Sequence, residues 1–166
     1  MNEPLVFIEE LRRRFYIKNG DLYRRAATGG RPADEVAGWV TVCGVRPYRK
    51  VSFKNRALYV HHVVYLLVHG ELPEVVDHIN GDSLDNRVEN LRGGSQSQNM
   101  ANARIGRANT SGFKGVTWHA RAKKWAAQIT VNGKCIYLGC YSSKDEAANA
   151  YAVGSKKHFG EFARVR

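Results

Sequence analysis

The sequence has few cysteines and lacks any long apolar run. Cys43, Cys135 and Cys140 are odd in number and show no Cys-x-x-Cys spacing, which argues against a disulfide framework and a structural zinc site and fits a reducing compartment. The longest apolar run, residues 63–68, is far too short to cross a bilayer. Residues 1–5 show no basic segment leading into an apolar run, so no secretory signal is expected. These absences predict a soluble, intracellular protein of the cytoplasm.

Acidic residues are scarce toward the carboxyl terminus. The chain of 166 residues has a net charge of +11, and residues 100–166 hold 12 Lys or Arg against 3 Asp or Glu, a net +9. Such an excess of positive charge indicates an acidic partner, most plausibly nucleic acid. The carboxyl-terminal part is therefore expected to grip nucleic acid, while residues 1–99 carry the acids that a metal site needs.

One dense polar motif, residues 75–92 with 95–99 behind it, organises the chain. It opens with an apolar pair that predicts a strand and then turns at Asn80-Gly81-Asp82. The apolar positions in 88–91 predict a second strand that returns beside the first. Ser95, with Gln98 three residues later, is a capping box that begins a helix and places Asn99 in or near its first turn.

The side chains of this motif suit metal-assisted hydrolysis of a phosphodiester. Asp77 and Asn99 offer hard oxygens, which fit a magnesium-like ion that keeps several waters. His78 titrates near neutral pH, so its neutral ring can take a proton from a water aimed at phosphorus. A plain hairpin turn is the simpler alternative, and an EF-hand fails because Gly81 follows Asp77 by four residues instead of five.

At these residues the sequence resembles the homing-type branch of the HNH endonucleases, found in phages and introns. The family pattern stands here as residues 77–82, 85–87 and 90–92, followed by Asn99. The resemblance implies that His78 is the general base, that Asp77 and Asn99 bind one divalent ion, and that Asn90 buttresses the histidine loop. Asn99 replaces the last histidine of the family name, which favours Mg²⁺ or Mn²⁺ over zinc.

The residues before the motif are expected to form its foundation. A helix is predicted at 6–15, followed by a hairpin and several short strands, and a second helix is predicted at 61–68. Residues 60–62 resemble a Val-His-Arg segment of the family, with His62 in place of arginine. His61 is interpreted as a hydrogen-bonded histidine that ties helix to sheet, with contact to the scissile phosphate as the alternative.

The last part of the chain predicts a three-stranded sheet with one helix behind it. Strands are indicated at 113–118, 124–131 and 134–139, and a capping box at Ser143 begins the helix. This part resembles the APETALA2-type DNA-binding domain, which also occurs fused to phage HNH nucleases. The matching residues are Lys114-Gly115-Val116, Trp125-Ala126-Ala127-Gln128-Ile129, Tyr137-Leu138-Gly139, Ala147-Ala148-Asn149-Ala150-Tyr151 and Phe159-Gly160-Glu161-Phe162-Ala163.

The resemblance implies that the sheet lies in the DNA major groove. Thr117, Thr130 and Cys135 stand where the plant proteins have arginines, so the plant target sequence does not transfer. Basic residues on the loop before the second strand are expected to contact phosphate. Over the whole chain the predicted DNA-binding residues are Arg87, Arg92, Arg104, Arg107, Lys114, Thr117, His119, Arg121, Lys123, Lys124, Gln128, Thr130 and Tyr137.

The sequence thus predicts an α+β fold in two domains. A nuclease domain at 1–103 combines a small N-terminal β-sheet with a ββα-metal module at about 75–102, a linker spans 104–111, and the DNA-binding domain spans 112–166. The expected function is a nicking or homing DNA endonuclease that uses one Mg²⁺ or Mn²⁺ on duplex DNA, with no membrane and no small-molecule cofactor. The alternatives are a non-catalytic DNA-binding regulator with a vestigial HNH fold and, less favoured, an RNA-binding protein. Monomer and dimer both remain open.

Overall fold

A computed structural model describes residues 3–27, 29–106 and 108–165, without the side chains of residues 3 and 4. The contacts within the chain divide it into two compact units, Met1–Gly94 and Ser95–Arg166. Both units combine helices with small antiparallel sheets, so the fold class is α+β. Among the described residues, no helix is both long and apolar enough to cross a membrane.

The first unit begins with helix α1, Glu3–Arg14. Phe15 was predicted to end this helix but instead begins strand β1, Phe15–Lys18, because it pairs with Arg24 of strand β2, Asp21–Arg24. The turn between the strands uses Asn19 and Gly20 at φ 51° and 76°, as expected for an Asn-Gly hairpin.

A three-stranded antiparallel sheet and a helix follow. The strands β3, β4 and β5 lie in that order and span Trp39–Cys43, Arg46–Phe53 and Arg56–Tyr59. Helix α2, Val60–His69, continues directly from β5 and ends at Gly70, whose left-handed backbone at φ 80° forms the cap. The apolar face of α2 enters the core of the unit, which also holds Leu11, Phe15, Leu22 and Val51.

The polar motif lies on a final pair of strands, β6 at Val75–His78 and β7 at Leu91–Gly94. Their antiparallel register places Asp77 opposite Arg92 and His78 opposite Leu91. The strand predicted at 88–91 is wrong for its first three residues, because Val88–Asn90 forms a single 3-10 turn. In that turn the Asn90 N–H donates to the Arg87 carbonyl at 2.9 Å. Of the predicted strand residues, only Leu91 therefore pairs with β6.

The second unit opens with helix α3, Gln96–Asn102, and continues with strands β8, β9 and β10 and helix α4. These elements span Val116–His119, Lys124–Val131, Lys134–Tyr141 and Lys144–Phe159. The sheet has β9 in the centre, and α4 packs on one face of it through a core that includes Val116, Ala127, Ile129 and Tyr151. The three-stranded sheet with one helix behind it is therefore present, although β8 begins three residues later than predicted.

The late start of β8 follows from Gly115. This residue has φ 63°, outside strand geometry and in the left-handed region that glycine adopts readily. A Cβ atom at this position would lie 2.3 Å from the Gln128 carbonyl oxygen and 2.3 Å from the Tyr151 ring. The chain therefore crosses close to β9 and α4 here before the strand can begin.

Candidate active site

Asp77 lies near the end of β6 as a buried carboxylate with a cationic partner. Its side chain is 6% exposed and that of Arg92 is 11% exposed. Arg92 Nε and Nη2 both donate to Asp77 Oδ2, at 3.1 and 3.0 Å. The pairing follows from the strand register, which sets the two residues directly opposite each other. Arg92 was also predicted to contact DNA; that contact stays a prediction, and in the structure its guanidinium orients Asp77.

His78 is the next residue and is equally buried, at 7% exposure. Its Nε2 lies 3.3 Å from Asn86 Oδ1, while Asn86 Nδ2 donates to the Leu84 carbonyl at 3.1 Å. This second bond turns the amide so that its oxygen faces the ring and holds the Asn86 side chain against His78. Burial lowers the pKa of His78, against the opposing hydrogen bond to Asn86, so the ring is neutral and suited to accept a proton.

Asn86 received no role in the sequence analysis. It stands inside the Asp85-Asn86-Arg87 part of the motif and is 3% exposed. The sequence offered one indication, which is that Asn86 lies between an acidic and a basic residue of the family pattern. In a sequence alone, however, nothing says that its amide returns to a histidine eight residues earlier.

Asn90 joins the two ends of the histidine loop. Its Oδ1 accepts from Asn80 N–H at 3.0 Å, and its Nδ2 donates to Asn80 Oδ1 at 3.1 Å and to the Asp85 carbonyl at 2.7 Å. Its backbone carbonyl accepts from Ile79 N–H at 2.8 Å. These bonds give Asn90 the contacts expected of a residue that supports the loop, though its role in activity stays a prediction.

Arg87 extends from the same loop toward solvent. Its Nε and Nη2 donate to the two oxygens of Asp85, each at 2.8 Å, and its side chain is 61% exposed. The guanidinium lowers the pKa of Asp85 to about 2. Arg87 is therefore exposed but already paired, and its predicted DNA contact would share the guanidinium with Asp85.

Two further histidines, His61 and His62, form a cluster with His78 in the first unit. The ring of His61 lies 4.9 Å from that of His78 and 4.3 Å from that of His62, measured between centroids. Burial, followed by the neighbouring charges of His62 and His78, lowers the pKa of His61 to about 3. Within the described part of the chain, no hydrogen bond reaches His61 Nδ1, although this atom is buried. The hydrogen bond by which His61 was expected to connect helix and sheet is thus not made through its Nδ1 atom.

Asn99, the other predicted metal ligand, lies on α3 in the second unit. The predicted capping box is present: Ser95 Oγ accepts from Gln98 N–H, and the Gln98 side chain accepts from Ser95 N–H. Asn99 is half-buried, and its N–H donates to the Ser95 carbonyl at 3.0 Å. Among the described residues, no group of three or more His, Cys, Asp or Glu side chains could hold a metal ion.

The helix that carries Asn99 is clasped at its carboxyl end by residues of its own unit. Lys114 Nζ donates to the carbonyls of Ala101 at 2.5 Å and Ala103 at 2.8 Å, and Arg164 donates to that of Asn102 at 3.2 Å. Burial lowers the pKa of Lys114 to about 8. Lys114 was predicted to bind DNA, and that contact stays a prediction; in the structure its ammonium caps a helix.

Most other predicted DNA-binding residues share one face of the second sheet. The register sets Thr117 beside Ala126, and Tyr137 beside Gln128. Because strand side chains alternate, these residues lie opposite the core residue Ala127 and face away from α4. We call this set the outward face; its exposed members are Thr117, His119, Lys124, Gln128, Thr130 and Tyr137.

The remaining predicted contacts lie elsewhere. Arg121 and Lys123 are exposed on the turn between β8 and β9, and Arg104 is exposed beyond α3. Arg107 lies outside the described residues. The structure thus gathers six candidates on the outward face and two on the adjoining turn, all in the second unit, whereas Arg87 and Arg92 belong to the first unit.

A family model matches the segment that contains the site, and two known proteins are similar to much of the chain. Residues 58–101 match the family model described as HNH endonuclease. Protein 3.8 of Escherichia phage T7 is 31% identical over 108 residues, covering 64% of this chain and 88% of that protein. An uncharacterized HNH endonuclease of Acanthamoeba polyphaga mimivirus is 29% identical over 116 residues, covering 68% of this chain and 59% of that protein. No solved structure matches the chain significantly.

These matches assign the motif to a domain and the chain to a protein family. The segment with Asp77, His78 and Asn90 is an HNH endonuclease domain. The chain belongs to the same protein family as protein 3.8 of phage T7.

Acid is expected to destabilise the protein through His61. Its pKa is about 3 in the folded state and 6.5 ordinarily, so the unfolded chain binds the proton more tightly. The stability it contributes is present above pH 6.5 and is lost as the pH falls toward 3. Between pH 7 and pH 5 the loss is about 2 kcal/mol. Urea unfolding at the two pH values measures this loss of free energy of unfolding, which should be smaller by that amount in His61→Phe than in the wild type. Equal losses in the two proteins would show that His61 is not the group responsible.

Removing the ammonium of Lys114 is expected to loosen α3. Lys114→Met leaves the carbonyls of Ala101 and Ala103 without their partner, at a cost of about 2 kcal/mol for hydrogen bonds to a charged group. Hydrogen exchange should become faster at the amides of α3, and the melting temperature should fall. Lys134→Met, at an exposed position of β10, is the matched control and should leave both unchanged. Unaltered exchange in Lys114→Met would show that the clasp does not hold the helix.

Proposed function

We propose that this protein is a metal-dependent endonuclease that hydrolyses phosphodiester bonds in duplex DNA, of the nicking or homing type. The observation that carries this proposal is the buried pair Asp77 and His78 inside an HNH endonuclease domain. The acid is oriented by Arg92, burial keeps the base neutral, and Asn86 contacts its ring through Nε2. A domain that had lost its activity would have no need to keep a carboxylate and an imidazole side by side in the protein interior.

Asp77 and Asn99 are the proposed protein ligands of a single hard divalent cation, on the chemistry of their side-chain oxygens. A carboxylate and an amide carbonyl are oxygen ligands of the kind that Mg²⁺ takes alongside water and substrate phosphate. Arg92 holds Asp77 through one oxygen edge, which fixes the carboxylate without removing its charge. When bound, Mg²⁺ or Mn²⁺ would offset the charge on the scissile phosphate and on the leaving 3′ oxygen.

His78 is the general base of the proposed reaction. Its lone pair takes a proton from a water molecule, and the water oxygen forms a bond to phosphorus. The bond from phosphorus to the 3′ oxygen breaks, and its electron pair leaves with that oxygen, which is protonated by solvent. The products carry a 5′ phosphate and a 3′ hydroxyl. Asn90 keeps the loop in shape around this chemistry through its bonds to Asn80 and Asp85.

The second unit is the proposed DNA-binding module, an APETALA2-type domain. Its exposed outward face lies away from α4 and carries polar side chains that suit base edges and phosphates in a major groove. Residues 100–166 supply a net charge of +9 of the total +11, which favours the phosphate backbone. One HNH site cuts one strand, so a monomer would nick, and cutting both strands would require a dimer or two encounters.

Loss of the base should abolish cleavage and spare binding. His78→Ala is expected to lower the rate of plasmid relaxation in Mg²⁺ or Mn²⁺ by a factor of about 10² to 10⁴, and EDTA should stop the wild type. His158→Ala, at an exposed position on α4, should cleave normally. Plasmid and genomic DNA that are bound yet never cut at any metal concentration would support the non-catalytic regulator instead.

The outward face should carry the affinity for DNA. Lys124→Ala removes one phosphate contact, so duplex binding should weaken several-fold and the slope of log affinity against log salt should fall by about 1. Lys156→Ala removes an equal charge from the exposed side of α4 and should change neither. Fluorescence anisotropy with a labelled duplex measures both. Equal losses in the two variants would rule out this face, and duplex RNA that competes as well as DNA would favour an RNA-binding protein.

A further inference from the structure

His61 is enclosed against the proposed base. Its ring meets that of His78 edge to face, with planes at 63°, and the rings of Tyr48 and Tyr59 lie 5.8 and 5.4 Å away on other sides. The side chain is 6% exposed. It lies near the start of α2, which the core of the first unit holds in place. The imidazole is therefore fixed in position beside His78.

The Nδ1 atom of His61 is polar, buried and, among the described residues, without a hydrogen-bond partner. Leaving such a group unpaired costs about 1–3 kcal/mol. A phenylalanine would place a somewhat larger aromatic ring here without that cost. A buried polar atom with no protein partner therefore calls for a water molecule or a ligand.

We propose that His61 is a positioning residue for hydrolysis, whose Nδ1 hydrogen bonds the water molecule that His78 deprotonates. The inference rests on the proposed nuclease function. The two rings are neighbours, with centroids 4.9 Å apart, so a water molecule bound at His61 Nδ1 would lie close to the proposed base.

His61 holds the water and does not act as a second base. Its pKa of about 3 keeps it neutral, and a neutral imidazole can either donate to a water or accept from it through Nδ1, according to its tautomer. The proton released by the water goes to His78 alone, and His61 neither gains nor loses one. The expected benefit is orientation of the attacking oxygen, which affects the chemical step and not the binding of DNA.

The test is His61→Phe in the full-length protein, because this change keeps the ring and removes both nitrogens. The free energy of unfolding at pH 8 should equal or exceed that of the wild type, since an unpaired buried atom is gone. The kcat for plasmid nicking should fall at least tenfold, while KM and the Kd for duplex DNA in EDTA stay the same. His61→Gln, which retains a hydrogen-bonding group, should recover part of the lost kcat.

The matched control is His62→Phe, at the neighbouring half-buried position in the same cluster, and it should cleave within about threefold of the wild type. Full activity in His61→Phe would show that ring packing suffices and would overturn the proposal. A parallel loss of stability and activity in His61→Phe would assign the residue to the fold and overturn it as well. A wild-type protein that cuts no DNA would instead overturn the nuclease function itself, together with this role.

Discussion

Asp77 is a carboxylate in the interior of the first unit, and it requires a cation to remain there. Arg92 supplies that cation from the neighbouring strand, and removing one member of such a buried pair typically costs 3–5 kcal/mol. The ion pair and the register of β6 and β7 specify each other, because a slip by one residue would turn Arg92 to the opposite face. The same register places His78 at the strand end, where the backbone turns. The position of the base therefore depends on the pairing of the acid.

The loop between these strands replaces regular structure with side-chain hydrogen bonds. Asn90 satisfies the backbone at Asn80 and Asp85, and Asn80 and Asp82 each accept from the N–H two residues on, as such residues commonly do in turns. These side-chain bonds pair backbone groups of the loop that no strand ladder would pair. Asn86 likewise bonds the Leu84 carbonyl with its amide nitrogen while its amide oxygen faces the ring of His78.

The second unit joins two properties that the sequence treats as separate. Its outward face carries the residues proposed to meet DNA, and its helix α3 carries Asn99, the second proposed metal ligand. Lys114, Arg164 and a bond from Asn132 N–H to Ser97 Oγ at 3.0 Å hold that helix within the unit. The division of the chain after Gly94 places Asn99 with the sheet, whereas the sequence predicts a nuclease domain that ends at residue 103; the functional domain boundaries stay a prediction.

The sequence by itself determined the elements with local causes. Both capping boxes, the Asn19-Gly20 hairpin and the strand at Val75–His78 follow from residues within a few positions of one another, and the ordered motif identifies the HNH domain. Tertiary structure decided which groups the long side chains contact and which secondary structure some apolar residues adopt. Phe15 lies in a strand because it pairs with Arg24. Val88–Asn90 forms a 3-10 turn, and the side chain of Asn90 bonds across the loop. Arg92 and Lys114 donate to acceptors within the protein. An arginine or lysine has the same identity whether it meets phosphate, a carboxylate or a carbonyl, and only the positions of distant residues choose between them.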